Sequence, residues 1–335
     1  MSGIRLFEPN SGKEEEDAVI ETIRSGFWAS GAGGVKVKEF EINLKKYLKC
    51  KHLIAVNSGT AALHLALSLF DMQVVKLPAL SFVSTANACL YNGHVLEFQD
   101  IDNLTLNMKS PHCNSESLAL PVHFGGMPYE IESPPYFPVV EDCAHAMGSK
   151  LKSKFIKCFS FHPVKNLAMP NGGAIALYDD QYLEELKEKR WCGIGDRKGD
   201  EYDVKRLGWN YYMNEISAAI GIEQLKKLDK NNKIRYKIAK EYFERLHISA
   251  KMPLTPDCSY HLYWILVKNR DKFRAKLMKE GIETGTHYRP IDSFSLYKKA
   301  DLPITDIISK QIVTLPMHPN LTDQEVDRVI KVANS

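Results

Sequence analysis

The sequence predicts an α/β protein with a large domain on a mainly parallel, mixed sheet and a smaller C-terminal α/β domain. Three observations carry that expectation. Short apolar runs alternate with helical stretches between Leu53 and Leu177, the order expected of a mainly parallel sheet with crossover helices. Ser58, Ser81, His123, Asp142 and Ser160 fall at or just after the C-terminal ends of those runs, where open α/β sheets bind ligands. The 335 residues are too many for one small core, and the division expected is 1–230 and 231–335.

The elements follow in order. An amphipathic helix is predicted over Glu14 to Ser25, then a glycine-rich turn, GFWASGAGG, then a helix from about Lys36 to Leu48 with apolar residues at helical spacing. LIAV (53–56) reads as a short buried strand, after which Asn57-Ser58-Gly59-Thr60 opens the apolar helix AALHLALSLF. Strands are expected at VVKLPA, HVLEFQD, LALPVH, PVVED, KCFSFH and GGAIALY, with a helix from about Ser84 to Tyr91 after the first of them. Helical patterns return at Gln181 to Arg190 and, at length, at Asn214 to Phe243. The smaller unit holds a strand at HLYWILV, a helix at Arg270 to Glu280 and a closing helix from Asp323 to Ala333, with Thr322 as its N-cap.

Composition narrows the function. The net charge of +3, from 44 basic and 41 acidic residues, supplies no broad basic field, so nucleic acid is not favoured as a partner. No apolar run is long enough to span a bilayer, and the start, MSGIRLFEPNSGKEEEDAV, lacks the apolar core of a signal peptide. Seven cysteines are scattered without CxxC spacing, which fits reduced thiols and a cytoplasmic location. Cys143 and His145 lie close enough to suggest metal ligands, but no second pair supports them, so no metal is expected.

The stretch Val139 to Leu177, VVEDCAHAMGSKLKSKFIKCFSFHPVKNLAMPNGGAIAL, is the most informative. It places Asp142 at the end of an apolar run and sets Lys165 in a loop fixed by Pro163, Pro170 and Gly172-Gly173. An acid to hold a protonated ring nitrogen and an amine to form an imine are the two groups that a pyridoxal phosphate enzyme needs most. Ser58-Gly59-Thr60, between a strand and a helix, offers free N–H groups and a positive dipole end to a phosphate; a capped helix start explains it equally. GAGG at Gly31–Gly34 is a weaker phosphate candidate, since no strand precedes it. Ser160 is a candidate second phosphate ligand. Phe82 is placed to stack on a flat ring or to fill a core, and Asp142 to pair with a pyridinium or to cap a helix. His145 reads as a contact of the cofactor's phenolic oxygen or as a core histidine. Lys165 reads as a desolvated nucleophile or as a surface charge.

Ten stretches in order resemble the DegT/DnrJ/EryC1/StrS family of sugar aminotransferases: GFWASG, VNSGTAALHLAL, LPALSFVSTANACLYNGHVLEFQDID, LPVHFGG, VVEDCAHAMGS, CFSFHPVKN with GGAIAL, GWNYYMNEISAAIGIEQL, HLYWILV, THYRPI and LPMHPNLT. The resemblance implies the fold type I architecture of pyridoxal phosphate-dependent transferases, like that of aspartate aminotransferase. It implies that Lys165 is the Schiff-base lysine and proton shuttle, that Asp142 pairs with the pyridinium, that Phe82 stacks on the ring and that His145 lies near the phenolic oxygen. Gly59, Thr60 and Ser160 would hold the phosphate, and Asn210 would reach the phosphate of the neighbouring subunit's cofactor, making a homodimer with shared sites the active unit. Lysine at position 165, where some relatives carry histidine and dehydrate or deoxygenate, points to transamination. The implied reaction is ping-pong: an amino-acid donor, glutamate, leaves its amine on the cofactor, and a keto-sugar of a nucleoside diphosphate takes it up.

Trp28, Ser30, His287 and Tyr288 occupy positions similar to substrate-facing loops, though packing would explain each, and Arg289 could meet a diphosphate or be solvated. Tyr212 stands where the family usually has arginine. The segments 123–139, 108–117 and 68–75 are shorter than in the family; Pro134-Pro135 argues against a helix in the first of them. Two further readings remain: another pyridoxal reaction on the same fold, such as sugar dehydration or cyclitol transamination, and a noncatalytic regulator.

Overall fold

The computed structural model describes residues 3–111, 113–114, 116–131, 137–198 and 200–335. Pro134-Pro135 lie outside the described residues. Seven strands make the central layer: β1 (His52–Val56), β2 (Val74–Pro78), β3 (Val95–Gln99), β4 (Ser117–Ala119), β5 (Val140–Asp142), β6 (Ile156–Ser160) and β7 (Gly173–Leu177). β3, β2 and β4 pair in parallel, and β5 is parallel to β6. Parallel bridges Ala119–Val139 and Val122–Asp142 join the two groups. β7 runs antiparallel between β6 and β1, so the order is 3-2-4-5-6-7-1 with one reversed strand among those described.

Most of the strands are apolar on both faces, as covered parallel sheets require, while the edge strand β3 carries Glu97 and Gln99 and is partly exposed. In β1, Ile54 and Val56 pack with α3 (Gly59–Leu67) and α4 (Ser84–Tyr91), while Leu53 and Ala55 face α2 (Val35–Leu48). β7 alternates likewise, with Ile175 and Leu177 on one side and Ala174 and Ala176 on the other. α3 is buried on all sides from Ala61 to Leu67, which is why its sequence is apolar without an amphipathic stripe.

Preceding these, α1 (Lys13–Arg24) packs on α6 (Glu215–Arg245), a helix of 31 residues that Asn214 caps through the Ser217 amide at 2.8 Å. α6 runs through position 230 without a break and carries Ile238, Ala239 and Tyr242 into a second core. That core is built from β10 (Tyr263–Leu266), α7 (Arg270–Lys279), β11 (Ile312–Leu315) and α9 (Asp323–Asn334). Ile4 joins it from the N-terminal segment through a bridge to Ile282. The expected cap of α9 is present: Thr322 Oγ1 accepts from the Glu325 amide at 3.2 Å, and Glu325 returns a carboxylate to the Thr322 amide at 2.9 Å.

Five elements differ from the sequence expectation, one of them β11, where no strand was expected. The strand expected over LALPVH stops at Ala119, because Pro121 offers no N–H to a ladder. An antiparallel hairpin, β8 (Ile194–Lys198) and β9 (Glu201–Val204), is mostly exposed and charged and so shows no apolar alternation. α8 (Pro303–Gln311) has no local side-chain cap; Asp100, at the end of β3, accepts from the Ile304 and Thr305 amides at 3.1 and 2.8 Å instead. Among the described residues of 123–139 there is a single 3-10 turn, Phe124–Gly126, and no α-helix. No helix of the described residues is long and apolar enough to cross a membrane.

Candidate active site

The C-terminal ends of β1, β2, β4, β5 and β6 bring the predicted residues to one edge of the sheet. Asp142 ends β5 and is buried. Its Oδ1 accepts from the Ala144 amide at 3.0 Å and its Oδ2 from Thr85 Oγ1 at 2.9 Å, while Ser81 Oγ lies 2.8 Å from Thr85 Oγ1. Burial pushes the carboxyl above its usual range; the two hydrogen bonds and the positive charge of Lys165 pull it back. The acid is therefore held rigidly, in one orientation, in a place where a further cation would stabilise its charge.

Lys165 follows β6 in a turn closed by its own amide to the His162 carbonyl at 2.8 Å. The side chain is half-buried, and its amine makes no hydrogen bond or ion pair with the described residues. Burial pushes it down to about 8, against the attraction of Asp142. An amine so placed is partly free at neutral pH, as a nucleophile must be. Attachment of an aldehyde to the apoprotein should therefore quicken about fivefold between pH 7 and pH 8 and level off above about pH 9. Stopped-flow absorbance would show this; a rate that keeps rising tenfold per unit beyond pH 9 would mean an ordinary lysine.

The anion cradle is the start of α3. Ser58 caps the helix through the Ala61 amide at 3.0 Å, while the amides of Gly59 and Thr60 donate to none of the described residues. Two glycines let the backbone close around this point. A Cβ on Gly59 would come within 2.6 Å of Ser160 Cβ, and one on Gly173 within 2.4 Å of the Ser58 carbonyl oxygen. Gly173→Ala is expected to lower stability by about 1–3 kcal/mol, the usual cost of overpacking, measurable by urea unfolding. The weaker candidate at Gly31–Gly34 does not share this vacancy. The Glu215 carboxylate already accepts from the Lys36 and Val37 amides at 2.8 and 3.2 Å, so the N-terminus of α2 holds its own anion.

Aromatic and imidazole rings wall the other side. The Gly125 amide donates to His145 Nδ1 at 3.2 Å, which leaves Nε2 to donate its proton to the Tyr288 hydroxyl at 3.0 Å. Tyr288 also meets Phe82, with ring centroids 6.1 Å apart. Phe82 itself is 56 % exposed, an open ring face and not a core filler. His287 bonds Thr314 Oγ1 through Nδ1 at 2.8 Å. Two residues that sequence reasoning missed complete the wall: His261 lies 4.4 Å from His145 between ring centroids, and Phe7 stacks on His261 at 5.5 Å. Burial and the nearby Lys165 charge push His145, His261 and His287 down, the last to about 4, so all three rings are neutral at pH 7. Thr85 was missed as well: Ser81 lies three residues before α4 begins, so no helical spacing links the two hydroxyls.

Other predicted residues stand apart from this cluster. Trp28 is exposed and donates from Nε1 to the Ile23 carbonyl at 3.2 Å; its own carbonyl takes the Glu215 amide at 2.8 Å. Ser30 closes a turn to Gly33. Arg289 is turned onto Ser293, with Nε 2.9 Å from Oγ, and over the Phe294 ring. Asn210 is exposed, and Tyr212 pairs by backbone with Val56. His123 meets Glu141 and Cys143 in a buried trio of the kind that can hold a metal. There Lys157 and Ser153 already satisfy Glu141, at 3.2 Å and at 2.8 and 2.7 Å, and the ammonium occupies the balancing place that a cation would take.

A seven-stranded mixed sheet with a buried acid, an unpartnered amine and an open helix N-terminus at one edge is what a pyridoxal phosphate-dependent aminotransferase of fold type I needs. The chain belongs to the DegT/DnrJ/EryC1/StrS aminotransferase family, which it matches over residues 9–333. It is 33% identical over 348 residues to the UDP-4-amino-4,6-dideoxy-N-acetyl-β-L-altrosamine transaminase of Campylobacter jejuni, covering 93% of this chain and 92% of that one. Among solved structures it resembles the sugar aminotransferase CalS13 of Micromonospora echinospora, with a TM-score of 0.91, 26% identity and 99% of each chain covered. It also resembles Helicobacter pylori PseC, an aminotransferase of pseudoaminic acid biosynthesis, with a TM-score of 0.89, 27% identity and 99% and 98% of the two chains covered.

Proposed function

We propose that the protein moves an amino group from glutamate to a keto-sugar of a nucleoside diphosphate, in two half-reactions at the Asp142–Lys165 site. The observation that carries this reading is the unpartnered Lys165 amine, pushed down to about 8 and facing a rigidly held Asp142. The residues fit pyridoxal phosphate: two free amides at Gly59 and Thr60 for its phosphate, Ser160 beside them, Phe82 for its ring and Asp142 for its nitrogen. When bound, the cofactor supplies an electron sink for the carbon that loses its proton. Lys165 anchors the cofactor covalently and carries the proton away from and back to that carbon. Asp142 keeps the ring nitrogen protonated, and Thr85 keeps Asp142 in place. His145, whose Nε2 is bonded to the Tyr288 hydroxyl, would hold that hydroxyl beside the ring oxygen. Neutral imidazoles at 145, 261 and 287 line the site without adding positive charge that would compete with the pyridinium.

The likeness to the Campylobacter transaminase, whose name specifies a UDP-sugar, supports a nucleotide-sugar acceptor. Trp28, Ser30, His287 and Tyr288 are proposed to meet it. Asn210 is proposed to reach the partner's cofactor phosphate, which its exposed side chain allows. None of the cysteines forms a disulfide among the described residues, which fits a cytoplasmic enzyme.

The test is a pair of half-reactions. Cofactor-loaded protein should lose its visible absorption with glutamate and release a 2-keto acid, and a keto-sugar nucleotide should restore the absorption while gaining an amine. A spectrum that glutamate leaves unchanged, with every other amino donor also silent, would overturn the reading. Shared sites have their own check. Lys165→Ala and Asn210→Ala proteins, refolded together, should recover about a quarter of wild-type activity, because half the dimers then hold one intact site; no recovery above the separate proteins would place Asn210 outside the partner's site.

A further inference from the structure

We propose that His64 is a positioning residue of the shared site: through Tyr211 it sets the rotation of the strap Trp209–Tyr212 and so aims Asn210 at the partner protomer's cofactor. The proposal rests on the reading of Asn210 given above. His64 lies in α3 four residues beyond Thr60 and is buried among alanines and leucines. Its Nδ1 is 3.0 Å from the Tyr211 hydroxyl. Trp209, Tyr91 and Tyr211 box the imidazole, with ring centroids at 4.4, 5.3 and 5.7 Å. Nε2 is buried without a partner among the described residues, a cost that an apolar side chain would not carry. What the histidine adds at this position is the bond to Tyr211.

That bond has a geometric consequence. The strap is extended: Asn210 pairs with Trp191 and Tyr212 with Val56, both antiparallel. Asn57 holds its backbone at the end of β1, the amide donating to the Tyr211 carbonyl at 2.8 Å and Nδ2 to the Asn210 carbonyl at 3.3 Å. Side chains alternate along extended chain. With Tyr211 turned inward onto His64, Asn210 is turned outward, and it is exposed. The same helix thus offers its N-terminal amides to its own cofactor and, one turn later, fixes the residue that serves the other.

The test compares Tyr211→Phe, which removes one oxygen, with His64→Leu, His64→Gln and the double variant Tyr211→Phe/His64→Leu. The readouts are the cofactor dissociation constant, by absorbance titration of the dimer, and the apoprotein melting temperature. Tyr211→Phe and His64→Leu should each weaken cofactor binding about fivefold, the net worth of one hydrogen bond. The double variant should be no weaker than either, and His64→Gln, which keeps a polar partner for Tyr211, should regain most of the loss. Asn210→Ala is measured alongside. If it leaves cofactor binding unchanged, the shared-site reading falls and this proposal with it. If it weakens binding while Tyr211→Phe does not, or if Tyr211→Phe lowers only the melting temperature, the role of His64 alone is overturned. Tyr211→Phe decides the matter even if the substitutions at His64 prevent folding.

Discussion

Lys165→Ala is expected to lower turnover by about 10⁴-fold or more, since positioned proton transfer alone is worth ~10²–10⁴ and the covalent anchor is lost with it. The fold should persist. The amine makes no hydrogen bond or ion pair with the described residues, and deleting it removes a charge that burial already disfavours. The variant should still bind cofactor through Gly59, Thr60, Ser160 and Asp142, with the spectrum of the free aldehyde. Lys165→Arg should be as inactive, because a guanidinium does not lose its proton at usable pH. Turnover of the alanine protein near the wild-type rate, measured by release of the 2-keto acid, would remove Lys165 from the chemistry.

Asp142→Asn should cost about 10²–10³-fold in turnover, comparable to losing one preorganised electrostatic contact. The carboxamide fills the same space and can accept from the Ala144 amide, but it cannot hold a ring nitrogen in its protonated form. Apoprotein stability should stay within about 1 kcal/mol of wild type, because relief of a buried carboxylate offsets the lost attraction to Lys165. Loss of turnover with a steady melting curve separates a chemical role for Asp142 from a purely structural one at the turn that follows, where no helix begins. A purely structural role would instead leave both activity and stability near wild type in Asp142→Asn, since asparagine accepts from the Ala144 amide equally well.

Much of the sheet was legible because most of its strands are short apolar runs buried on both faces, and the amphipathic helices because their apolar residues recur at helical spacing. α4 begins and ends at Ser84 and Tyr91 as its pattern predicts, β7 lies within its expected run, and β1 and β6 each begin one residue before theirs. The edge cluster of Asp142, Lys165, Gly59 and Ser160 was legible for a related reason: a parallel sheet brings strand ends together wherever they fall in the chain. What was not legible depends on contacts between distant residues. Phe7 reaches His261 because Ile4 pairs with Ile282. The His145–Tyr288 bond spans 143 positions. α8 is capped by Asp100, 205 positions before Thr305. The β8–β9 hairpin is held by backbone pairing between charged, exposed residues, which leave no hydrophobic period to read.

On the proposed reading the residues around Asp142 and Lys165 act together. Ser81 and Thr85 fix the acid, burial frees the amine, and the start of α3 leaves two amides for a phosphate. The most direct test is borohydride reduction of cofactor-loaded protein followed by peptide mass mapping. The account predicts one reduced cofactor per chain, attached to Lys165, with labelling abolished by prior addition of glutamate. Attachment to any other lysine, or none at all in protein that still turns over, would contradict it.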